Sequence, residues 1–134
     1  RLILEGVAPH HELLAAYNRV DVALDPSPFS GGLTTLEALW MGVPVVTCPG
    51  ETFASRHALS HLSTVGLTDF VARDRHDYIA RAVHWATHLE ELATVRASLR
   101  ERIERSRLCD GRAFAEELGR LLETCVGERG DFAP

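Results

Sequence analysis

The sequence predicts an α/β fold in which a parallel sheet carries helices on both faces and is followed by further helices at its C-terminal end. Short apolar runs alternate with helical stretches over the first half of the chain, and the connections between them are short. The runs are apolar throughout, which is typical of strands covered on both faces. From Asp74 onward only helical periodicity remains, so the sheet is expected to lie entirely in the first half.

The predicted elements follow one another in chain order. Strands are expected at 2–5, 20–25 and 44–47, with a weaker one at 70–72. Helices are expected at 10–19, from 33 or 34 to 41, and at 52–65. Gly42 and Gly66 stand where a left-handed residue favours the end of a helix.

The second half of the chain is predicted to be helical to near Gly127. Asp74 can cap the first helix of this half. Apolar stripes at helical spacing then run through Tyr78, Ile79, Ala82, Val83, Ala86, Leu89, Leu92, Val95, Leu99 and Ile103. A last amphipathic helix would carry Phe114, Leu118, Leu121, Leu122 and Cys125. We therefore expect one domain at 1–127 and a loose tail at 128–134.

Composition and charge narrow the classes of function. The 134 residues are 46% hydrophobic and 25% charged, which suits a single globular domain. Acidic residues outnumber basic ones by 19 to 14, so a nucleic-acid partner is not expected. No apolar run reaches the roughly 18 residues of a membrane span, and no secretory leader is visible. The three cysteines match neither a disulfide framework nor a metal site, which favours the cytoplasm.

The strongest local signal is the turn Gly31-Gly32-Leu33-Thr34-Thr35, which joins a predicted strand to a predicted helix. Ligands of open parallel sheets bind beyond the carboxyl ends of the strands. Glycines let the backbone approach a ligand, and a helix start offers free N–H groups, so the turn suits a phosphate or diphosphate. Glu37, about one helical turn further on, could accept hydrogen bonds from ribose hydroxyls. A plain structural turn with a threonine cap is the alternative, because neither the dinucleotide glycine motif nor a P-loop lysine is present.

A second turn, at 6–11, is expected at the same edge of the sheet. Its backbone could hold a base, and His10 or His11 could donate a hydrogen bond to a sugar or phosphate. The alternative is that both histidines are solvated residues of a helix start.

A third turn, at 49–57, also follows a predicted strand. Arg56 could pair with a phosphate there, or form a structural ion pair with Glu51. The pairs His57–His61 and His84–His88 have a spacing compatible with metal, but no acidic partner accompanies them. We therefore expect no metal site and no cofactor.

The segment 31–56, which reads GGLTTLEALWMGVPVVTCPGETFASR, closely resembles the C-terminal catalytic region of O-linked N-acetylglucosamine transferases, especially the bacterial SPINDLY-like group. The match is collinear from Leu2 to about Val126. The resemblance implies a two-lobed GT-B fold in which this chain is the Rossmann-like, donor-binding C-terminal lobe. Known members transfer a sugar to serine or threonine hydroxyls of a protein acceptor with inversion, using UDP-N-acetylglucosamine, whereas plant SPINDLY-type members use GDP-fucose.

The resemblance also assigns roles to residues. Thr34 and Thr35 match the threonine pair that binds the diphosphate, Glu37 falls where animal members bring an aspartate to the ribose, and Ala8 falls where the backbone contacts the uracil. His10, Leu13 and Leu33 depart from the animal members, which leaves the donor's base and sugar open. The nucleotide-sugar site is therefore expected to comprise Ala8, His10, Gly31, Gly32, Leu33, Thr34, Thr35 and Glu37.

No catalytic residue is expected in this chain, because the resemblance places the candidate proton acceptor in an N-terminal lobe upstream, together with tetratricopeptide repeats. The chain opens on Arg1 and contains one methionine, which also favours a piece of a longer protein that is inactive alone. Two alternatives stay open. One is another GT-B enzyme, such as a nucleotide-sugar 2-epimerase or a glycan or lipid glycosyltransferase, and the other is a non-catalytic nucleotide-binding or scaffold domain.

Overall fold

The computed structural model describes residues 2–130, with side chains to residue 127. Two strands form a parallel pair, β1 (Ala23–Leu24) and β2 (Val45–Val46). The helices are α1 (His10–Ala16), α2 (Leu33–Trp40), α3 (His57–Thr64), α4 (Arg75–Thr87), α5 (Leu89–Glu104) and α6 (Gly111–Gly130). Short 3₁₀ helices lie at Tyr17–Arg19, Phe53–Ser55 and Thr68–Phe70. The predicted α/β class with C-terminal helices is confirmed.

The sheet is shorter than the sequence predicts. In the parallel pair Ala23 aligns with Val45 and Leu24 with Val46, while a single parallel bridge joins Thr47 to Val71 at the weak strand predicted for 70–72. The strands predicted at 20–25 and 44–47 are therefore correctly placed but reduced to two residues each. A strand extends only as far as a neighbour offers backbone partners, and the apolar runs reveal burial rather than pairing.

The core lies between the sheet and helices α2 to α5. Its fully buried side chains include Leu39 of α2, Val46 of β2, Leu62 of α3 and Leu99 of α5. Ring stacking adds to this core, because Phe70 lies parallel to Trp85 of α4 with a centroid separation of 4.2 Å. This packing fixes α2, and with it the turn that precedes α2, against the sheet.

The strand predicted at 2–5 is wrong for the described part of the chain. Leu2, Ile3 and Leu4 are 83%, 69% and 85% exposed, and no strand among residues 2–130 pairs with them. The apolar run is suited to burial, but an extended segment becomes a strand only when a neighbouring edge receives its hydrogen bonds.

Several helix boundaries differ from the prediction. The helix predicted at 10–19 ends as α1 and continues as a 3₁₀ turn, and the one predicted at 52–65 is split into a 3₁₀ turn and α3. Gly42 and Gly66 do end their helices with positive φ angles of 78° and 72°, as predicted. The Asp74 cap is also present, since its side chain accepts a hydrogen bond from the Asp77 N–H.

The C-terminal helix α6 forms as predicted, but its apolar side chains are exposed. Phe114, Leu121 and Leu122 each expose more than half of their surface. The helix continues to Gly130, three residues into the segment expected to be a loose tail, and 131–134 lie outside the described residues. Within the described part of the chain, no helix has both the length and the apolar character needed to cross a membrane.

Candidate functional site

The turn between β1 and α2 lies at the carboxyl edge of the parallel pair. Asp25 follows β1 directly and Thr47 follows β2, so the two side chains meet at this edge. The Thr47 hydroxyl donates to Asp25 Oδ2 at 2.6 Å, and the Ser30 hydroxyl donates to the same oxygen at 2.8 Å. The Gly31 N–H donates to Asp25 Oδ1 at 2.7 Å. The end of the strand and the start of the turn are thus joined through one buried carboxylate.

Gly31 lies at the most crowded point of the turn. A β-carbon built on it would lie 2.8 Å from both the Thr34 and the Thr35 hydroxyl oxygens and 3.4 Å from Asp25 Oδ1. A side chain at this position would therefore displace the groups that surround it. The close approach at this glycine is made by atoms of the protein itself.

The two threonines have different surroundings. Thr35 is buried, and its hydroxyl donates to the Gly31 carbonyl oxygen at 2.8 Å. Thr34 is exposed, and its backbone carbonyl accepts a hydrogen bond from the Tyr17 hydroxyl at 3.2 Å. In this conformation Thr34 is therefore the one of the pair whose hydroxyl can meet a ligand, while Thr35 stabilises the turn.

The start of α2 presents unpaired backbone donors. Gly32 is the N-cap residue, and no side chain caps the helix. The N–H groups of the first turn of a helix have no partner within it, so the Leu33 and Thr34 amides contribute to the partial positive charge of the helix start. Leu33 itself is 70% exposed, and Gly32 lies close to the imidazole of His57. Free amides beside an exposed hydroxyl form an arrangement suited to an anion.

Glu37 and His10 are 27 residues apart in sequence and in contact in the structure. His10 Nε2 lies 2.7 Å from Glu37 Oε1, with the histidine side chain 67% exposed and the glutamate side chain only 10% exposed. Tyr17 lies between the two helices as well, and burial, together with the nearby Glu37 carboxylate, raises the pKa of its hydroxyl. The start of α1 and the first turns of α2 thus meet beside the glycine turn.

Ala8 forms no part of the hydrogen bonds that join His10, Glu37 and the glycine turn in the described residues. It belongs to the exposed segment before α1 and lines an open cavity of about 620 Å³ together with Glu12, Leu13 and Arg19. A smaller cavity of about 120 Å³ lies between β1 and the turn and is lined by Leu24, Gly31 and Thr34. The described structure therefore joins His10, Glu37 and the glycine turn, and leaves Ala8 at the open side.

In the described residues, Arg56 forms a backbone contact rather than the structural ion pair with Glu51. Its guanidinium donates to the Gly50 carbonyl oxygen at 3.0 Å, and no ion pair with Glu51 is present between residues 2 and 127. The contact closes the turn after β2. His57 instead packs edge-on against Phe53, with ring centroids 4.7 Å apart.

Sequence reasoning missed the residues that hold the turn in place. No role is assigned from the sequence to Asp25, Ser30, Thr47 or Tyr17, although Ser30 directly precedes the glycines. A polar residue directly after each of two adjacent apolar strands was the available signal, since parallel strands end at one edge. Tyr17 gave no such signal, because it falls within the helix predicted at 10–19.

The family assignment comes from comparison with known proteins. The sequence model described as glycosyl transferase family 41 matches residues 1–118. The chain belongs to this family. The matched residues include the sheet, the glycine turn and helices α1 to α5.

Relatives and a solved structure agree with the family. A probable UDP-N-acetylglucosamine–peptide N-acetylglucosaminyltransferase SPINDLY of Solanum lycopersicum is 40% identical over 116 residues, which are 87% of this chain and 12% of that protein. A UDP-N-acetylglucosamine–peptide N-acetylglucosaminyltransferase of Caenorhabditis elegans is 34% identical over 91% of this chain and 11% of that protein. The structure of a mutant Thermobaculum terrenum O-GlcNAc transferase matches with a TM-score of 0.80 and 43% identity, covering 86% of this chain and 22% of that one.

These matches confirm the GT-B-type fold and the resemblance to SPINDLY-like transferases. The family 41 chain described here spans about an eighth of the length of its curated relatives.

Proposed function

We propose that this chain binds the nucleotide part of a sugar donor, and that the turn Gly31–Thr35 holds the donor's diphosphate. The observation that carries the proposal is the uncapped start of α2, with free amides beside the exposed Thr34 hydroxyl at the carboxyl edge of the sheet. Membership of a glycosyltransferase family makes a nucleotide sugar the relevant anion. The full protein would then be an inverting transferase that moves a sugar to serine or threonine hydroxyls of a protein acceptor.

The chemistry follows from the charge that develops during transfer. As the bond between the sugar and the diphosphate breaks, negative charge grows on the leaving diphosphate. Preorganised N–H and O–H donors stabilise that charge more in the transition state than in the ground state. In this proposal the Leu33 and Thr34 amides and the Thr34 hydroxyl would supply these donors.

The nucleoside end of the donor would lie toward α1. Glu37 would accept hydrogen bonds from the ribose hydroxyls, which requires its carboxylate to exchange His10 for the ligand, and the backbone near Ala8 would contact the base. We favour UDP-N-acetylglucosamine as donor, since relatives in plants and animals carry that nucleotide sugar in their names. GDP-fucose is the alternative donor.

The acceptor and any catalytic base would be supplied by residues outside this chain. We propose an N-terminal catalytic lobe and tetratricopeptide repeats of about 34 residues in the full protein, in the cytoplasm. This chain alone would then transfer no sugar, and detectable transfer by it would contradict the proposal.

Calorimetric titration of UDP and GDP into the full-length protein tests the donor site. We expect one of the two nucleotides to bind. Thr34→Ala should lower the affinity for that nucleotide by about threefold to tenfold, which is the effect of losing one hydrogen bond to a charged group. Thr64→Ala is a matched control, because this exposed threonine donates within α3, far along the chain from the turn. Unchanged affinity in Thr34→Ala would remove the turn as the diphosphate site. Binding of neither nucleotide would favour a scaffold domain that keeps the fold.

A further inference from the structure

We propose that Asp25 is a positioning residue of this site, which holds the glycine turn in the conformation that presents the α2 amides to a diphosphate. The inference rests on the proposed function and adds a residue that sets the geometry without touching the ligand. The supporting observation is that the buried Asp25 carboxylate lies next to hydrogen-bond donors from the turn and from the end of the neighbouring strand.

The Asp25 carboxylate is fully used by the protein. Its two oxygens accept three hydrogen bonds of 2.6–2.8 Å, from the Thr47 hydroxyl, the Ser30 hydroxyl and the Gly31 N–H. Only 8% of the residue is exposed. A buried carboxylate without such donors would be strongly destabilising, so these three groups and Asp25 constrain one another.

The network extends to the helix behind the turn. The Ser30 hydroxyl donates to Asp25 and accepts a hydrogen bond from the Ala58 N–H at 2.9 Å, in the first turn of α3. On the strand side, the Asp25 carbonyl oxygen accepts a hydrogen bond from the Tyr78 hydroxyl at 2.9 Å. Asp25 is therefore held by contacts with the sheet, with α4 and, through Ser30, with α3. Its hydrogen bond to the Gly31 N–H in turn restricts the position of Gly31.

The bond to Gly31 links Asp25 to the proposed ligand donors. Gly31 is in close contact with the Thr34 and Thr35 side chains, and its carbonyl oxygen accepts the Thr35 hydroxyl. A change in the orientation of the Gly31 peptide group would therefore move the start of α2. Because α2 is also held by core residues such as Leu39, this displacement would be confined to the turn and would spare the helix beyond it.

A purely structural role for Asp25 makes a different prediction, which an experiment can separate. If Asp25 only stabilised the fold, its replacement would weaken the binding of every ligand alike. If Asp25 positions the glycine turn, its replacement would weaken the binding of a nucleoside diphosphate much more than the binding of the nucleoside. The proposed contacts of the nucleoside lie at Glu37 and toward α1. The ratio of the two affinities is therefore the informative quantity.

The test measures dissociation constants of the full-length protein for UDP and uridine, or for GDP and guanosine if the wild type binds GDP. We expect Asp25→Asn to lower the diphosphate affinity about tenfold, as for a lost hydrogen bond to a charged group, with less than about a twofold change for the nucleoside. Thr47→Val removes one donor without removing the carboxylate and is expected to show the same selectivity at smaller size. Thr47→Ser restores the hydroxyl and should restore the ratio.

Leu62→Ala is the control for general destabilisation, because this side chain is buried in the hydrophobic core and takes no part in the Asp25 hydrogen bonds. It should lower the melting temperature and leave the affinity ratio unchanged. Equal losses for diphosphate and nucleoside in Asp25→Asn and Thr47→Val, or no loss in either, would overturn the positioning role. If Asp25→Asn does not fold, the Thr47→Val and Thr47→Ser pair decides the question by itself.

The outcomes also separate this inference from the proposed function. A wild-type protein that binds neither nucleotide contradicts both. A wild type that binds, with Thr34→Ala weakened and with unchanged affinity ratios in the Asp25 and Thr47 variants, retains the site and contradicts the positioning role alone.

Discussion

The glycine turn and the N-terminal segment flank the same predicted site, and they are held in place in opposite ways. The turn is fixed by buried polar groups, Asp25, Thr47 and Thr35, that find all their partners within the described chain. The segment before α1 is apolar and exposed, and its described tertiary contacts include the ion pair of Glu5 with Arg19 at 2.7 Å. The hydrogen-bond network of the turn is completed by partners from the end of the neighbouring strand and from α3, whereas the apolar extended segment needs a second surface to cover it.

The largest expected effect compares the two regions by truncation of a leucine in each. Leu39→Ala in α2, directly behind the turn, should lower the free energy of unfolding by about 2–5 kcal/mol, because it leaves a cavity in the core. Leu4→Ala should change it by less than about 0.5 kcal/mol as long as the segment stays exposed. Chemical denaturation of both variants checks this. A large loss in Leu4→Ala of the full-length protein would show that residues outside this chain cover the segment.

The second-largest effect is expected when one glycine in the turn and one in the N-terminal segment are each replaced by alanine. Gly31→Ala should destabilise the protein by about 1–3 kcal/mol, because the added methyl group would overpack against the Thr34 and Thr35 hydroxyls. It should also lower the affinity for the nucleoside diphosphate. Gly6→Ala is the matched control, since a β-carbon there would meet no atom within 4 Å. Thermal unfolding and nucleotide titration measure the two effects. Equal behaviour of the two variants would mean that the turn is not the constrained element.

A smaller effect concerns the contact that joins the two regions. Glu37→Gln should weaken nucleoside binding by roughly fivefold, near 1 kcal/mol, if its carboxylate accepts the ribose hydroxyls. His10→Gln removes an exposed partner and should change the affinity by less than about twofold. The dissociation constant for uridine or guanosine is the measurement. The reverse order, with His10 dominant, would place the nucleoside on α1 rather than on α2.

The smallest expected effect is a pH dependence of the free energy of unfolding, which arises from His61 in α3. Burial first, and the neighbouring His57 second, lower the pKa of His61 below its ordinary value of 6.5. The unfolded state then binds more protons than the folded state, so stability is complete above about pH 6.5 and decreases as the pH falls through that value toward the folded pKa. His61→Gln should flatten the unfolding free energy measured by urea titration between about pH 7.5 and 5.5. An unchanged slope would contradict the burial of this imidazole, and the exposed His11→Gln serves as control.

The sequence by itself determined the α/β class, the position of the glycine turn, the helix ends at Gly42 and Gly66, and the family. The structural features depend on local backbone preferences and on the period of apolar residues, which neighbouring residues in sequence decide. The family depends on the resemblance carried by residues 31–56 and on the match over residues 1–118. Tertiary structure alone decided which residues meet. Asp25 accepts a hydrogen bond from the hydroxyl of Thr47, 22 positions away in sequence, and His10 contacts Glu37, which is 27 positions away.

Tertiary structure also distinguished the buried Thr35 from the exposed Thr34, and it gave no strand to the apolar run at 2–5. Periodicity specifies that a residue prefers burial, but only the packed chain specifies the surface that buries it. For the same reason the polar residues that hold the turn could be identified only after β1 and β2 were seen to end side by side.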